Sequence, residues 1–221
     1  MSPLSYRDSG GAGSPVVLLH GGASSAATWD RFGAALAAAG RRTIAVDLRG
    51  HGGSPRAATY PLTGFRDDVT GLLDVLGLDR IALVGHSLGA HTASLVAQAC
   101  PDRVSHLVLE ELPVPGGLSG RRFLLPALLL LAARRGFDPR AMISVVRQLS
   151  APDPAWWDRL ASITAPTLVV SGGPRSHIPP ARLAEVTRAI PAARLVTIPV
   201  GHRVHSLDPA RFHAAVVPFL T

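Results

Sequence analysis

A serine between two glycines is the pattern in this chain that most directly suggests chemistry. Ser87 lies in the run Gly85-x-Ser87-x-Gly89, after apolar residues 81–84 and before the alanine-rich apolar residues 90–97. This order predicts a buried strand, a sharp turn and a helix. A serine in such a turn has a strained backbone and an exposed hydroxyl, and the small glycines leave room for both. The pattern is typical of a nucleophilic serine.

Two stretches carry backbone amides that could stabilise the negative oxygen formed when a serine attacks a carbonyl. The amide of Leu88 opens the predicted helix, and helix N-terminal amides favour anions. A His-Gly-Gly run that ends at Gly22 follows a strand pattern over residues 15–19. Glycines let the backbone approach a ligand closely, so the amide of Gly22 or Ala23 is the second candidate donor. A simple turn at the strand end is the alternative interpretation.

The composition indicates a compact globular protein with one domain, residues 1–221. Hydrophobic residues make up 47% of the chain and charged residues 17%, whereas disordered chains have the opposite balance. All 22 basic residues are arginines, spread along the chain apart from three short doublets, and aromatic residues make up only 5%. The net charge of +7 therefore bears on solubility, and nucleic acid is not expected as a partner.

The cysteine content and the position of the first apolar run indicate the cellular compartment of the protein. Cys100 cannot form an internal disulfide, and we interpret it as a buried filler rather than a nucleophile. The first strong apolar run begins at Val16 and ends in the His-Gly-Gly run, unlike a secretory leader. These features predict a cytoplasmic protein. They leave its oligomeric state open.

Strand patterns alternate with helical patterns along most of the chain, which predicts an α/β fold with a mainly parallel sheet. Strands are predicted over residues 4–7, 15–19, 43–46, 81–84, 104–109, 166–170 and 193–198. Helices are predicted over residues 28–39, 63–76, 88–97, 180–190 and 208–220.

The alternation breaks between residues 113 and 165, a segment that we interpret as a helical lid inserted in the domain. Residues 123–133 are apolar and flanked by arginine pairs, and eleven residues with a central proline are too few to span a bilayer. Phe123 and Leu124 are candidate substrate-binding residues in an apolar pocket at the strand ends. An interfacial membrane anchor is the less favoured alternative.

The ordered set of motifs resembles the α/β-hydrolase family, and the resemblance covers almost the whole chain. The segments that carry it are His20-Gly21-Gly22 with Trp29, Asp47-Leu48-Arg49-Gly50-His51-Gly52-x-Ser54, Gly85-His86-Ser87-Leu88-Gly89, Pro101-Asp102-Arg103-Val104 and Gly201-His202. The resemblance implies an α/β-hydrolase fold and a triad in the chain order serine, acid, histidine. It assigns Ser87 as the nucleophile and His202 as the base, with His205 as the alternative. A serine hydroxyl needs such a base because it is otherwise a weak nucleophile.

The acid is the point at which this chain departs from the family pattern. Family members usually carry it after the strand that ends near residue 170, but that loop has no carboxylate and places Arg175 near the usual position. An arginine cannot accept the proton of an imidazolium. In some members the acid follows the preceding strand, which here ends in Glu110-Glu111, and the alternation of side chains favours Glu111 over Glu110. Two solvated strand-end charges are the competing interpretation.

Two more histidines are candidate substrate-binding residues. His86 is the neighbour of the serine, and His177 lies on the loop that lacks the acid. His177 could bond to Glu111 or contact substrate, although an ordinary loop histidine is the favoured interpretation.

Together, the residues and the resemblance predict a serine hydrolase that cleaves a carboxylic ester, thioester or lactone through an acyl-enzyme. The expected partner is a small molecule with an apolar acyl group, and no metal or cofactor is implied. Dehalogenases and epoxide hydrolases of this fold use an aspartate nucleophile, so Ser87 argues against both. C–C bond hydrolysis, acyl transfer and perhydrolysis use the same triad and stay open. A non-catalytic ligand-binding protein is the rival of another class.

Overall fold

Seven strands form a single sheet in the structure, a computed structural model that describes residues 4–117 and 136–221. They are β1 (Tyr6–Asp8), β2 (Pro15–Leu19), β3 (Arg42–Val46), β4 (Ile81–His86), β5 (Val104–Glu110), β6 (Thr167–Ser171) and β7 (Ala193–Thr197). Their order across the sheet is β1-β3-β2-β4-β5-β6-β7. The β1 strand is antiparallel to β3, and the other neighbours are parallel. The predicted α/β fold with a mainly parallel sheet is confirmed.

Helices connect the strands in the described ranges. The α-helices are α1 (Asp30–Ala38), α2 (Leu62–Val75), α3 (Leu88–Ala99), α4 (Pro139–Ser150), α5 (Pro154–Asp158), α6 (Pro180–Ala189), α7 (Val204–Leu207) and α8 (Pro209–Leu220). Short 3-10 helices cover Ala26–Trp29, Pro101–Arg103, Arg159–Ser162 and Gly173–Arg175. The elements match the predicted ones to within a few residues, except that α7 was not predicted.

The sheet is buried on both faces because successive side chains of each central strand enter different hydrophobic clusters. In β2, Val17 and Leu19 belong to the cluster beneath α2, α3 and α6, whereas Val16 and Leu18 belong to the cluster beneath α1 and α8. All four side chains are fully buried. This explains the continuous apolar runs of the central strands, which are typical of parallel sheets covered by helices on both sides.

Parallel pairing brings the carboxyl ends of the central strands to one edge of the sheet. In the register, Leu19 lies opposite Gly85, His86 opposite Glu110, and Glu110 opposite Val170. The residues that follow these strands therefore meet at the same edge, where ligands bind in open α/β sheets.

The helices α4 and α5 lie between β5 and β6, inside the segment interpreted as a lid. Ala141, Val145 and Leu149 of α4 are buried in the cluster that also covers α2 and α3. Residues 118–135 lie outside the described ranges, so the interpretation of residues 113–165 as a lid stays a prediction. No helix in the two described ranges is both long and apolar enough to cross a bilayer.

Candidate active site

Ser87 lies at the turn between β4 and α3 with a strained backbone. Its φ of 51° and ψ of −115° are unusual for a residue with a side chain. A Cβ on Gly85 would overlap the carbonyl of Gly89, and a Cβ on Gly89 would overlap the carbonyl of Leu19. Both glycines are therefore required for the tight turn, and Ser87 is held in the geometry that the motif predicts.

Backbone amides from two elements lie beside this turn. Leu88 begins α3, so its amide is in the first turn of the helix. A Cβ on Gly21 would lie 3.3 Å from the Cβ of Ser87, which shows that the loop after β2 packs directly on the turn. The next residue, Gly22, lies beneath the thioether of Met142 from α4.

The amide of Ala23 is directed elsewhere, in contrast to one of the two expectations for the second oxyanion donor. Ala23 has a φ of 57°, and its N–H donates to Nε2 of His51 at 3.2 Å. The Nδ1 of His51 in turn lies 3.0 Å from the carbonyl oxygen of Arg49. An amide already bonded to an imidazole is poorly placed to bind an oxyanion, which leaves Gly22 as the candidate.

A carboxylate and an imidazole meet at the end of β5. Glu111 directly follows β5, and its Oε2 lies 3.1 Å from Nδ1 of His202. The Glu111 side chain is fully buried, which excludes the interpretation of a solvated strand-end charge. The backbone N–H of Gly172 donates to Oε1 and the hydroxyl of Ser176 to Oε2. Burial raises the pKa of the Glu111 carboxyl above its ordinary value, although these two hydrogen bonds act in the opposite direction.

The base candidate lies on the loop between β7 and α7, residues 198–203, here called the base loop. Burial, together with the interactions with His205 and Arg203, lowers the pKa of His202 to about 4. The imidazole of His202 is therefore neutral at pH 7, the form that can accept a proton. With Nδ1 facing Glu111, its Nε2 is the nitrogen left for that role.

A family model matches the part of the chain that contains this turn. The model of the alpha/beta hydrolase fold matches residues 14–127, which is more than half of the chain. The chain belongs to the alpha/beta hydrolase family.

The chain is also similar to individual proteins with different names and activities. Mouse sn-1-specific diacylglycerol lipase ABHD11 is 30% identical to this α/β hydrolase over 99% of the chain and 85% of the mouse protein. The 2-hydroxy-6-oxononadienedioate/2-hydroxy-6-oxononatrienedioate hydrolase of Paraburkholderia phymatum is 39% identical over 52% of the chain and 40% of its own length. The enol-lactonase of Burkholderia xenovorans LB400 superposes with a TM-score of 0.84 at 25% identity, and the match covers 98% of this chain and 96% of the lactonase.

The loop after β6, which has no carboxylate and carries Arg175, contacts Glu111. Its Ser176 and Gly172 are the two donors to Glu111. The loop is also joined to the base loop, since the N–H of Gly201 donates to the carbonyl of Gly172 at 2.9 Å. The loop thus supplies donors to a carboxylate that comes from the neighbouring strand.

His177 lies against the base. The centroids of the His177 and His202 rings are 3.8 Å apart, and the two ring planes meet at 43°. His177 is exposed as a whole, but one side of its ring adjoins the imidazole of His202. Desolvation on that side and the interaction with His202 lower the pKa of His177 to about 4.

His86 does not occupy the substrate-facing position that we expected. It is 5% exposed, and its Nε2 lies 2.8 Å from the carbonyl oxygen of His202. Burial lowers its pKa to about 3, so the ring is neutral and donates this bond. His86 joins the nucleophile strand to the base loop instead of contacting a ligand. The other expected substrate-binding residues, Phe123 and Leu124, lie outside the described ranges.

One cluster has a spacing that could hold a metal ion. Donor atoms of His86, Glu110 and His205 all lie within 4.8 Å of one another. However, His86 directs Nε2–H at the carbonyl of His202, and Nδ1 of His205 lies 2.7 Å from Glu110. A metal would have to displace the bond between His205 and Glu110, so the cluster is better described as a hydrogen-bonded network.

Two contacts of the site were not predicted from the sequence. Met142 lies over Gly22, although nothing in a short helical pattern indicates which side chain meets the loop after β2. His51 accepts the bond from Ala23, and its place in the Asp47–Ser54 motif was the only available signal.

Proposed function

We propose that this α/β hydrolase is a serine hydrolase that cleaves a carboxylic ester, thioester or lactone of a small molecule with an apolar acyl group. Ser87 attacks the carbonyl carbon while Nε2 of His202 takes the hydroxyl proton. The amides of Leu88 and Gly22 bind the oxyanion of the tetrahedral intermediate. His202 then gives the proton to the leaving oxygen or sulfur, and the acyl group stays on Ser87.

Water completes the reaction by the same steps. His202 takes a proton from water as the water oxygen attacks the acyl carbon, and it then gives this proton to the serine oxygen as the second tetrahedral intermediate breaks down to the acid and free Ser87. Throughout, the carboxylate of Glu111 holds the imidazole in the tautomer that presents Nε2 and stabilises its protonated form.

The observation that carries this proposal is the contact between Glu111 Oε2 and His202 Nδ1 at 3.1 Å, since the carbonyl of this His202 is bonded to His86, the residue before a serine with a strained backbone. A pure binding protein has no need for a buried carboxylate aligned with a neutral imidazole. The structural similarity to an enol-lactonase supports an acyl substrate.

C–C bond hydrolysis is the second candidate, because the Paraburkholderia relative is named for such a dienedioate or trienedioate substrate. It uses the same three residues, with a carbon in place of the leaving oxygen. Its similarity to this chain covers about half of either sequence, and the ester hydrolase is therefore the preferred proposal.

The test compares initial rates of p-nitrophenyl ester hydrolysis, from acetate to octanoate, for the wild type and for Ser87→Ala, Glu111→Gln and Glu110→Gln. We expect no turnover by Ser87→Ala and a loss of up to about 10⁴-fold in kcat for Glu111→Gln. Covalent labelling by a fluorophosphonate, located at Ser87 by mass spectrometry, tests the reactivity of the serine if the enzyme has a narrow substrate range and accepts none of these esters. A wild type that neither turns over nor labels would be a binding protein.

A further inference from the structure

A second carboxylate–imidazole pair lies next to the proposed triad. Glu110 precedes Glu111 and is also fully buried, with its carboxylate directed at His205. Its Oε1 accepts the backbone N–H of His205 at 2.9 Å, and its Oε2 lies 2.7 Å from Nδ1 of the same residue. Since His205 comes three residues after His202, the two consecutive glutamates bind two histidines of one short segment. The proposed reaction uses Glu111 and His202 but neither member of the second pair.

The imidazole of His205 also has partners other than Glu110. The Nε2 of His205 lies 2.9 Å from Oγ1 of Thr28, and its ring packs on Trp29 with centroids 4.4 Å apart. Both ring nitrogens of His205 therefore have partners. A buried charge persists in a fold only when it is paired and hydrogen-bonded, so this arrangement holds α7 firmly against the end of β5.

The base loop is held at a second point by His86. The Nε2–H of His86 donates to the carbonyl of His202 at 2.8 Å, and the ring centroid of His86 is 4.9 Å from those of both His202 and His205. His86 ends β4 and Glu110 ends β5, the two strands that lead into Ser87 and Glu111. The carbonyl of His202 is therefore bonded to the strand that leads into Ser87, and the N–H of His205, three residues later, is bonded to the strand that leads into Glu111.

We propose that Glu110, His205 and His86 are positioning residues, which hold the imidazole of His202 in line between Ser87 and Glu111. This inference rests on the proposed function, in which His202 is the base. Without the second pair, α7 and the base loop lose the bonds that fix their distance from β5. A shift of about 1 Å in a reacting group can lower a rate about 100-fold.

Several groups face His202 from the elements packed around it. They are Glu111 from the end of β5, His86 from the end of β4, His177 from the loop after β6, and Arg203 and His205 from its own segment. Replacement of His205 by leucine or asparagine removes one of the interactions that lower the pKa of His202. The acid limb of the pH profile should then move to higher pH, which a purely structural loss would not cause.

The experiment measures the second-order rate of fluorophosphonate labelling of Ser87 against pH for His205→Leu, Glu110→Gln and His205→Asn. The amide nitrogen of asparagine replaces Nδ1 and can still donate to Glu110. We expect about 100-fold slower labelling for the first two variants, a midpoint at higher pH for both His205 variants, and recovery of most of the rate in His205→Asn. The control is Gln98→Leu, which removes the buried bond from Gln98 Nε2 to the carbonyl of Trp156 at 3.2 Å. This control should label like the wild type.

The outcomes separate the two proposals. Equal labelling rates and midpoints in the wild type, His205→Leu and Glu110→Gln would overturn the positioning role and leave the proposed function intact. A wild type that does not label at Ser87 would overturn the proposed function first. Circular dichroism identifies variants that do not fold. If His205→Leu does not fold, the test rests on Glu110→Gln, which keeps the side-chain volume. An unchanged labelling rate in Glu110→Gln then overturns the inference.

Discussion

The hydroxyl of Ser176 donates to Oε2 of Glu111, the same carboxylate oxygen that faces Nδ1 of His202. A loop that lacks the acid in this chain therefore stabilises the acid carried by the adjacent strand. Hydrogen bonds to a carboxylate favour its ionised form, which is the form that can orient an imidazole. The contribution of this bond can be measured.

Ser176→Ala is expected to lower kcat about tenfold and to move the acid limb of the pH profile to higher pH. The bond from Ser176 lowers the pKa of Glu111, so its loss lets the carboxylate protonate at a higher pH. A hydrogen bond to a charged group contributes about 1.5–3 kcal/mol, which corresponds to tenfold or more in rate. Steady-state kinetics from acidic to neutral pH checks this. Ser162→Ala, which removes a bond to the carbonyl of Arg159 in an exposed turn, is the control and should leave the profile unchanged.

The pH dependence of kcat/KM should show activity well below the ordinary histidine range. His202 must be neutral to accept a proton, and its pKa is lowered to about 4, so activity is present above this value and is lost as the pH falls through it. Glu111 must also be ionised, and its raised pKa sets a second limit on the acid side. We expect a midpoint below about 6.5, the ordinary value for histidine. A midpoint at or above that value would contradict a buried, neutral base.

Gly22→Ala should lower kcat/KM about tenfold, because the added Cβ would overlap the thioether of Met142. Overpacking of this kind costs about 1–3 kcal/mol and would displace the loop that carries the proposed oxyanion amide. The double variant Gly22→Ala/Met142→Ala relieves the overlap and should regain most of the activity. If the double variant is no faster than Gly22→Ala, Met142 is not the cause of the loss.

Asp138→Asn should destabilise the protein by about 1–3 kcal/mol, measured by urea unfolding at pH 7. Asp138 is buried, accepts the hydroxyl of Tyr60 at 2.8 Å, and caps α4 through the N–H of Arg140 at 3.0 Å. The Arg140 guanidinium holds the pKa of Asp138 below its usual range, so this stability is present at neutral pH and is lost as the pH falls through that lowered pKa. Asp158→Asn replaces an exposed carboxylate of the same segment and should have little effect.

The sheet and its helices could be predicted because their signals are local. The apolar runs of β2, β4 and β5 are continuous since both faces are covered, and the glycine spacing around Ser87 has a steric cause. Alternation along β5 also predicted that Glu110 and Glu111 face opposite sides. Each indeed binds a different histidine.

Contacts that depend on long sequence separations could not be predicted. Glu110 and His205 are 95 positions apart, and α7, which orients His205, has four residues and therefore no periodic pattern. The expectation that His86 faces substrate was wrong. The bond from His86 to the carbonyl of His202 depends on the position of the base loop beside the end of β4, which the sequence does not indicate. The roles of Ser87 and His202 in a reaction stay predictions until the kinetics are measured.

The backbone of the nucleophile is joined to the strand of the acid. In addition to the ladder between β4 and β5, the N–H of Ser87 donates to the carbonyl of Glu110 at 2.9 Å. The distance between Ser87 and Glu111 is thus set by two adjacent central strands rather than by loops. The distance between Ser87 and Glu111 in this hydrolase would therefore be as rigid as the central strands of the sheet.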